Sequence, residues 1–295
     1  MQRQLTTAAI FVFSCVILAR MTSTHAASPP STARITKDIP FSDTAKGDRR
    51  RSFDLYLPAD SGRKTPLFAF IHGGFWLLPD DDYRIGPALA ENLVQDGVAV
   101  ALIRYRLAPA HRHPAQAEDV AAAVAQLVKD SAKYNFDARR IYLAGHSAGG
   151  HLASLVGLDS RYLNRHGLGK NSLAGIVSIS GLYDLNPTWR VSKNQSVAVE
   201  NTFGKDAALL KQASPIHHVR ADAPPFLIIS PFQDFPGFAL DARRFADALR
   251  QAGVRDVQQL TSKGTDHFTV VKLDDRNNEA RRAILSFMNV KALPK

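Results

Sequence analysis

Arg140-Ile141-Tyr142-Leu143-Ala144-Gly145-His146-Ser147-Ala148-Gly149 is the stretch on which the reading of this chain turns. The residues up to Ala144 form an apolar run of strand length, and a helix-compatible run follows at 150–156. Strand, G-x-S-x-G, helix is the context of a nucleophile elbow. The turn is so tight that the residues two before and two after the serine must be small, and Gly145 and Gly149 meet that demand. Such a turn strains the backbone at Ser147 and lifts its hydroxyl clear of the sheet. The Ala148 amide then opens a helix and can donate to an oxyanion. A Gly-rich turn around a buried serine would carry the same five letters. The flanking strand and helix, and the partners found elsewhere in the chain, argue against that plainer reading.

Working outward, apolar strands and helical runs alternate. Strand-like runs fall at 66–71, 98–103, 173–180, 226–229 and 257–260. Helical runs fall at 83–95, 115–133, 239–251 and 277–288, with Gly253 placed to close the third. Alternation of this kind implies a mostly parallel sheet with helices on both faces. Two leading strands, 35–39 and 52–57, are joined by a short polar turn and should pair antiparallel at one edge. Residues 135–137 read as a turn. Residues 185–224 lack strand periodicity and are expected to form short helices that border the site as a partial lid. The expectation is one α/β domain over 35–295.

The N-terminus is set apart by composition. Met1-Gln2-Arg3-Gln4 carries a positive charge, 8–19 is apolar except for Ser14 and Cys15, and Thr24-His25-Ala26 offers small residues for cleavage. Residues 1–26 therefore read as a signal peptide and 27–34 as a mobile Pro/Ser-rich lead. The expectation is export to the periplasm or medium, with an uncleaved signal anchor as the alternative. The apolar run is short for a membrane span. Cys15 is the only cysteine, so the processed chain would hold no disulfide and no thiolate nucleophile. The net charge of +10 falls to +8 without Arg3 and Arg20. The basic residues are scattered and no nucleic-acid module accompanies them. The histidines lack a metal-ligand spacing, and no cofactor is implied.

A serine that transfers acyl groups needs a base, an orienter for the base, and an oxyanion hole. The base candidate is His267, in the loop after the last strand. His146 and His151 lie too close in sequence to swing onto Ser147, and read instead as support for the elbow. The orienter is Asp234, after the penultimate strand, with Asp184 after the preceding strand as its competitor. Strand order favours Asp234. His72-Gly73-Gly74-Phe75-Trp76 follows the buried strand 66–71. Its Gly73 and Gly74 amides, with Ala148, are the candidate oxyanion donors. Phe75 and Trp76 are expected to wall the substrate pocket.

These motifs together resemble the α/β-hydrolase superfamily over nearly all of 35–290. His72-Gly73-Gly74-Phe75-Trp76 is similar to the HGGxW motif of arylformamidases and related esterases and lipases. Tyr105-Arg106-Leu107-Ala108-Pro109 resembles the same group and the hormone-sensitive-lipase-like esterases. Asp234-Phe235-Pro236-Gly237-Phe238 and Asp266-His267-Phe268 resemble the segments that carry the acid and the histidine. Carried over residue by residue, the resemblance implies the triad Ser147, Asp234, His267. It implies a small-molecule ester or amide substrate. Two features depart from arylformamidases: the export signal, and Arg104, which stands where related esterases often carry Asn. Both shift the expectation to a secreted carboxylesterase, with a formamide-cleaving amidase second. A non-catalytic binding protein on this fold would need a broken triad, and none is visible.

Overall fold

The computed structural model describes residues 33–59, 62–80, 85–186 and 193–290, all within one compact unit, 32–295. The expected signal peptide and most of the lead lie outside the described residues.

Among the described residues, eight strands form one sheet: β1 (Arg34–Pro40), β2 (Ser52–Leu57), β3 (Thr65–Ile71), β4 (Ala99–Ile103), β5 (Phe136–His146), β6 (Gly175–Ile179), β7 (Phe226–Gln233) and β8 (Val257–Asp266). Their order is β1-β2-β4-β3-β5-β6-β7-β8. The β1/β2 and β2/β4 pairs are antiparallel, and every other pair is parallel. The helices are α1 (Ile85–Val94), α2 (Ala115–Asp130), α3 (Ala148–Leu158), α4 (Ser160–Asn164), α5 (Lys193–Phe203), α6 (Ala207–Gln212), α7 (Phe238–Gln251) and α8 (Glu279–Phe287).

The central strands are apolar on both faces, as a covered parallel sheet demands. In β3, Leu67, Ala69 and Ile71 join the core under α2, α3 and α7, while Phe68 and Phe70 join the core under α1 and α8. Helix α7 shows the matching stripe: Ala242, Phe245, Ala246 and Leu249 face inward and Arg243, Arg244 and Asp247 face out.

Several expected boundaries moved. Phe136 opens β5 rather than sitting in a turn, because it is fully buried and pairs with Thr65. Helix α2 stops at Asp130 rather than Lys133. The chain needs residues 131–135 to turn back into the sheet, and the Phe136 amide bonds the Ser131 carbonyl. Both β7 and β8 run well past their apolar stretches, to Gln233 and Asp266. Of the expected 83–95 helix, residues 83–84 lie outside the described residues. The 185–224 excursion carries α5, α6 and a 3-10 turn at Pro215–His218.

The chain runs from β3 to β4 on one side, then crosses back to place β5 on the other side of β3. That reversal lies beyond the carboxyl ends of β3 and β5, the place where open α/β sheets bind ligands. The loop at 72–76 and the serine turn both leave the sheet there.

One buried ion pair ties the last helix to the first. Arg281 donates from Nε to Asp96 Oδ2 at 2.8 Å, and its other nitrogens reach the carbonyls of Leu273 and Asn92. Both side chains are sealed from water. Asp96→Ala would leave a buried guanidinium without its carboxylate, at a cost of about 3–5 kcal/mol. A urea titration should register that loss, and an unchanged midpoint would mean the pair contributes nothing to stability.

Candidate active site

Ser147 lies between β5 and α3 with φ 54° and ψ −118°, a conformation that L side chains rarely adopt. Two backbone bonds hold it: its amide donates to the Ile179 carbonyl at 2.9 Å, and its carbonyl accepts from the His151 amide at 3.0 Å. The neighbouring glycines are a steric requirement. A Cβ on Gly145 would overlap the Gly149 carbonyl, and one on Gly149 would overlap the carbonyl oxygens of Ile71 and His72. The elbow is thus pressed directly onto the end of β3.

From that end leaves His72-Gly73-Gly74-Phe75-Trp76. Gly74, Phe75 and Trp76 have φ of 98°, 56° and 61° in succession. Two non-glycine residues in this region cost about 1–3 kcal/mol each, so surrounding contacts must impose the shape. Tyr105 supplies one contact. Its hydroxyl donates to the His72 and Gly73 carbonyls at 3.2 and 3.3 Å, and its ring stacks on His72 at 4.4 Å. Burial pushes the His72 imidazole down to about 4, so this support is neutral at physiological pH. The Trp76 carbonyl accepts from the Ala108 amide, and the Gly74 carbonyl from the Leu77 and Leu78 amides. The Gly73 and Gly74 amides have no hydrogen-bond acceptor among the described residues. Ala148 opens α3, where an amide has no intrahelical acceptor. Trp76 lies behind the loop, 1% exposed, edge-on to His151 at 5.1 Å and to Phe203 at 4.9 Å. Phe75 is the member of the pair with exposed surface.

His267 follows β8 and Asp234 follows β7. The last register pair of those strands is Gln233 with Asp266, so the next residues of each emerge side by side. His267 Nδ1 and Asp234 Oδ1 are 2.7 Å apart, with side chains only 5% and 3% exposed. The Phe235 amide donates to the same carboxylate oxygen. No hydrogen bond links His267 to the Ser147 hydroxyl in this structure. Three phenylalanine rings surround the imidazole: Phe235 at 4.4 Å, Phe238 at 5.4 Å and Phe268 at 5.3 Å. His146 completes the surround. Its ring lies 4.7 Å from that of His267. Burial, with His267 beside it, holds His146 well below the usual imidazole range.

The competitor Asp184 does not bond His267, and neither does the adjacent Asp266. Asp266 Oδ1 closes its own turn, accepting from the Phe268 and Thr269 amides. Asp184 accepts from the Asn186 amide. The Asp184 segment is itself fastened by Asp241, whose Oδ2 accepts from the Tyr183 and Asp184 amides at 2.8 and 3.4 Å. Asp241 stands in the first turn of α7, just beyond the Asp234 loop. It was legible only as a helix-start residue; its partner lies 58 positions upstream.

An eight-stranded, mostly parallel sheet with a strained serine elbow at its switch point defines an α/β-hydrolase fold. The chain belongs to the BD-FAE family, whose family model matches residues 53–235. Among curated proteins it is similar to "Esterase LipC" of Mycobacterium tuberculosis, 30% identical over 82% of this chain and 62% of that one. It is similar to a kynurenine formamidase of Danio rerio, 27% identical over 88% of this chain and 83% of the other. The chain therefore spans somewhat less than two thirds of LipC but most of the formamidase. Among solved structures, Esterase B of Lactobacillus rhamnosis superposes with a TM-score of 0.75 at 20% identity, over 96% of this chain and 90% of that one.

Burial pushes the Asp241 carboxyl up to about 7 from an ordinary value of 3.8, against the lowering pull of its two amide bonds. Between those values the native state keeps a proton that the unfolded chain has lost. This group therefore makes stability fall as pH rises from about 4 to about 7. Asp241→Asn keeps an oxygen for both amides and removes the titration. Urea midpoints across that range should fall less steeply for Asp241→Asn than for the wild type, and parallel slopes would refute the assignment.

Proposed function

We propose that this protein is a serine hydrolase that cleaves carboxylic esters through an acyl-enzyme. The observation that carries the reading is the buried 2.7 Å contact between Asp234 and His267, at the carboxyl end of the sheet where Ser147 stands in its strained turn. In this reading Ser147 Oγ attacks the ester carbonyl while neutral His267 takes its proton at Nε2. Asp234 accepts from Nδ1–H, fixes that tautomer and stabilises the imidazolium. The Gly73, Gly74 and Ala148 amides receive the oxyanion. His267 then protonates the leaving alcohol, and water resolves the acyl-enzyme by the same route reversed.

The relatives support ester cleavage by their names, LipC and "Esterase LipQ" among them. A second reading, cleavage of an aryl formamide, is favoured by one observation: the kynurenine formamidase match runs along most of both chains. The two readings share every step except the bond broken.

A p-nitrophenyl ester series and N-formylkynurenine, assayed side by side on the purified protein, separate them. Ser147→Ala should lower turnover on the order of 10⁶-fold, and Asp234→Asn about 10⁴-fold. Asp184→Asn should stay within about twofold, as for a substitution away from the chemistry. Esterase activity that survives in Ser147→Ala would sink the mechanism. Efficient formamide cleavage with weak ester cleavage would select the second reading.

The apolar run at 8–19, outside the described residues, supports the further proposal that the protein is exported and cleaved near Ala26 or Ala27. Edman sequencing of protein expressed from the full gene tests this. An N-terminus at Met1 would overturn cleavage.

A further inference from the structure

Arg104, at the end of β4, is 4% exposed. A guanidinium does not give up its proton in a protein, so its burial requires fixed partners. Asp80 Oδ2 accepts from Nε at 2.7 Å, Asp54 Oδ2 from Nη2 at 2.6 Å, and Ser52 Oγ from Nη1 at 3.0 Å. Asp38 Oδ1 lies 3.3 Å from Nη1. These partners fall into two groups. Ser52 and Asp54 lie on β2 and Asp38 on β1, the antiparallel edge. Asp80 lies at the far end of the loop that begins at His72.

That loop needs to be held. Three successive residues, Gly74 to Trp76, have positive φ. Its start is fixed by Tyr105, through the His72 and Gly73 carbonyls. Its middle is fixed by the Ala108 amide on the Trp76 carbonyl. Its end, at Asp80, is fixed by Arg104. Two consecutive residues at the end of β4 thus grip the loop at both ends. The edge hairpin would need no contact with Asp80 if Arg104 served only to fasten β2 to β4.

We propose that Arg104 is a positioning residue for catalysis. Through Asp80 it fixes the end of the 72–80 loop, and so holds the Gly73 and Gly74 amides where the acyl oxygen becomes an oxyanion. This rests on the acyl-transfer reading of the site. Oxyanion donors act only within a narrow range, about 2.7–3.1 Å from the oxygen, and a displacement of about 1 Å can cost on the order of 10²-fold in rate.

The test uses the full chain, a p-nitrophenyl ester, and melting temperature as the independent readout. Asp80→Asn keeps the shape and removes the charge that Arg104 meets. The side chain of Asp80 is 29% exposed, so the variant should fold. Its kcat should fall about 10–100-fold, with KM within about twofold and melting within roughly 4 °C of wild type. Asp80→Glu, which keeps the ion pair but moves its anchor by one methylene, should show the same split. Asp54→Asn, on the hairpin side of the same guanidinium, should show the reverse: a lower melting temperature and nearly unchanged kcat. Arg104→Lys should recover part of the kcat lost in Arg104→Met. Unchanged kcat in Asp80→Asn, or equal kcat losses in Asp54→Asn and Asp80→Asn, would overturn the proposal. A wild-type protein that hydrolyses no ester and takes no phosphonate label at Ser147 would overturn the acyl-transfer reading first, and this proposal with it.

Discussion

A methyl group at Gly149 would overlap two carbonyl oxygens at the end of β3. That near-contact between the serine turn and the neighbouring strand is the constraint on which the rest of the site depends. It fixes the separation of the β5–α3 turn from the loop after β3, and so the separation of the serine from the Gly73 and Gly74 amides. It also explains why the backbone at Ser147 tolerates strain: Gly145 and Gly149 let the chain reverse in too little space for any side chain. The sheet order supplies the site for this contact, since β3 and β5 are adjacent in space although β4 and α2 lie between them in sequence.

Around that contact the site is built from neutral aromatic and imidazole rings rather than from opposed charges. His72 braces the loop after β3, His151 braces Trp76, and His146 braces His267. Burial lowers the basicity of all three. The consequence is electrostatic. A charge on His146, 4.7 Å from the His267 ring, would oppose an imidazolium there by roughly 3–4 kcal/mol at an effective dielectric constant of 20. Desolvation keeps that ring uncharged, so it packs against His267 without adding a charge beside it. The phenylalanines on the other sides exclude water from the Asp234–His267 contact, which strengthens it.

Arginines stand at the joints of the fold, where each closes a gap between elements. Arg281 joins α8 to the turn after α1, and Arg106 makes two bonds to Asp119 of α2, at 2.8 Å each. Arg104 joins the sheet edge to the loop after β3. A guanidinium suits this use because its planar fork meets several acceptors at fixed angles.

The alternation of apolar runs was enough to read the parallel sheet, its antiparallel edge and the order of its helices, because covered parallel strands must be apolar on both faces. The elbow was legible because its steric demand leaves a mark in letters: two glycines around a serine, between a strand and a helix. Candidates for the base and the oxyanion loop were legible from their positions after strands. Strand order favoured Asp234 over Asp184 as the partner of His267, but the letters could not show the contact itself. That depends on β7 and β8 continuing beyond their apolar residues, through a register shift between Pro231 and Gln233, until Gln233 pairs with Asp266. Polar ends of strands carry no periodic signal, and register is a property of two strands rather than one. The contact of His146 with His267, the fastening of Asp184 by Asp241, and the sharing of Arg104 between the sheet edge and Asp80 were hidden for the same reason. Each joins residues far apart in sequence, and only the folded chain brings their side chains within reach.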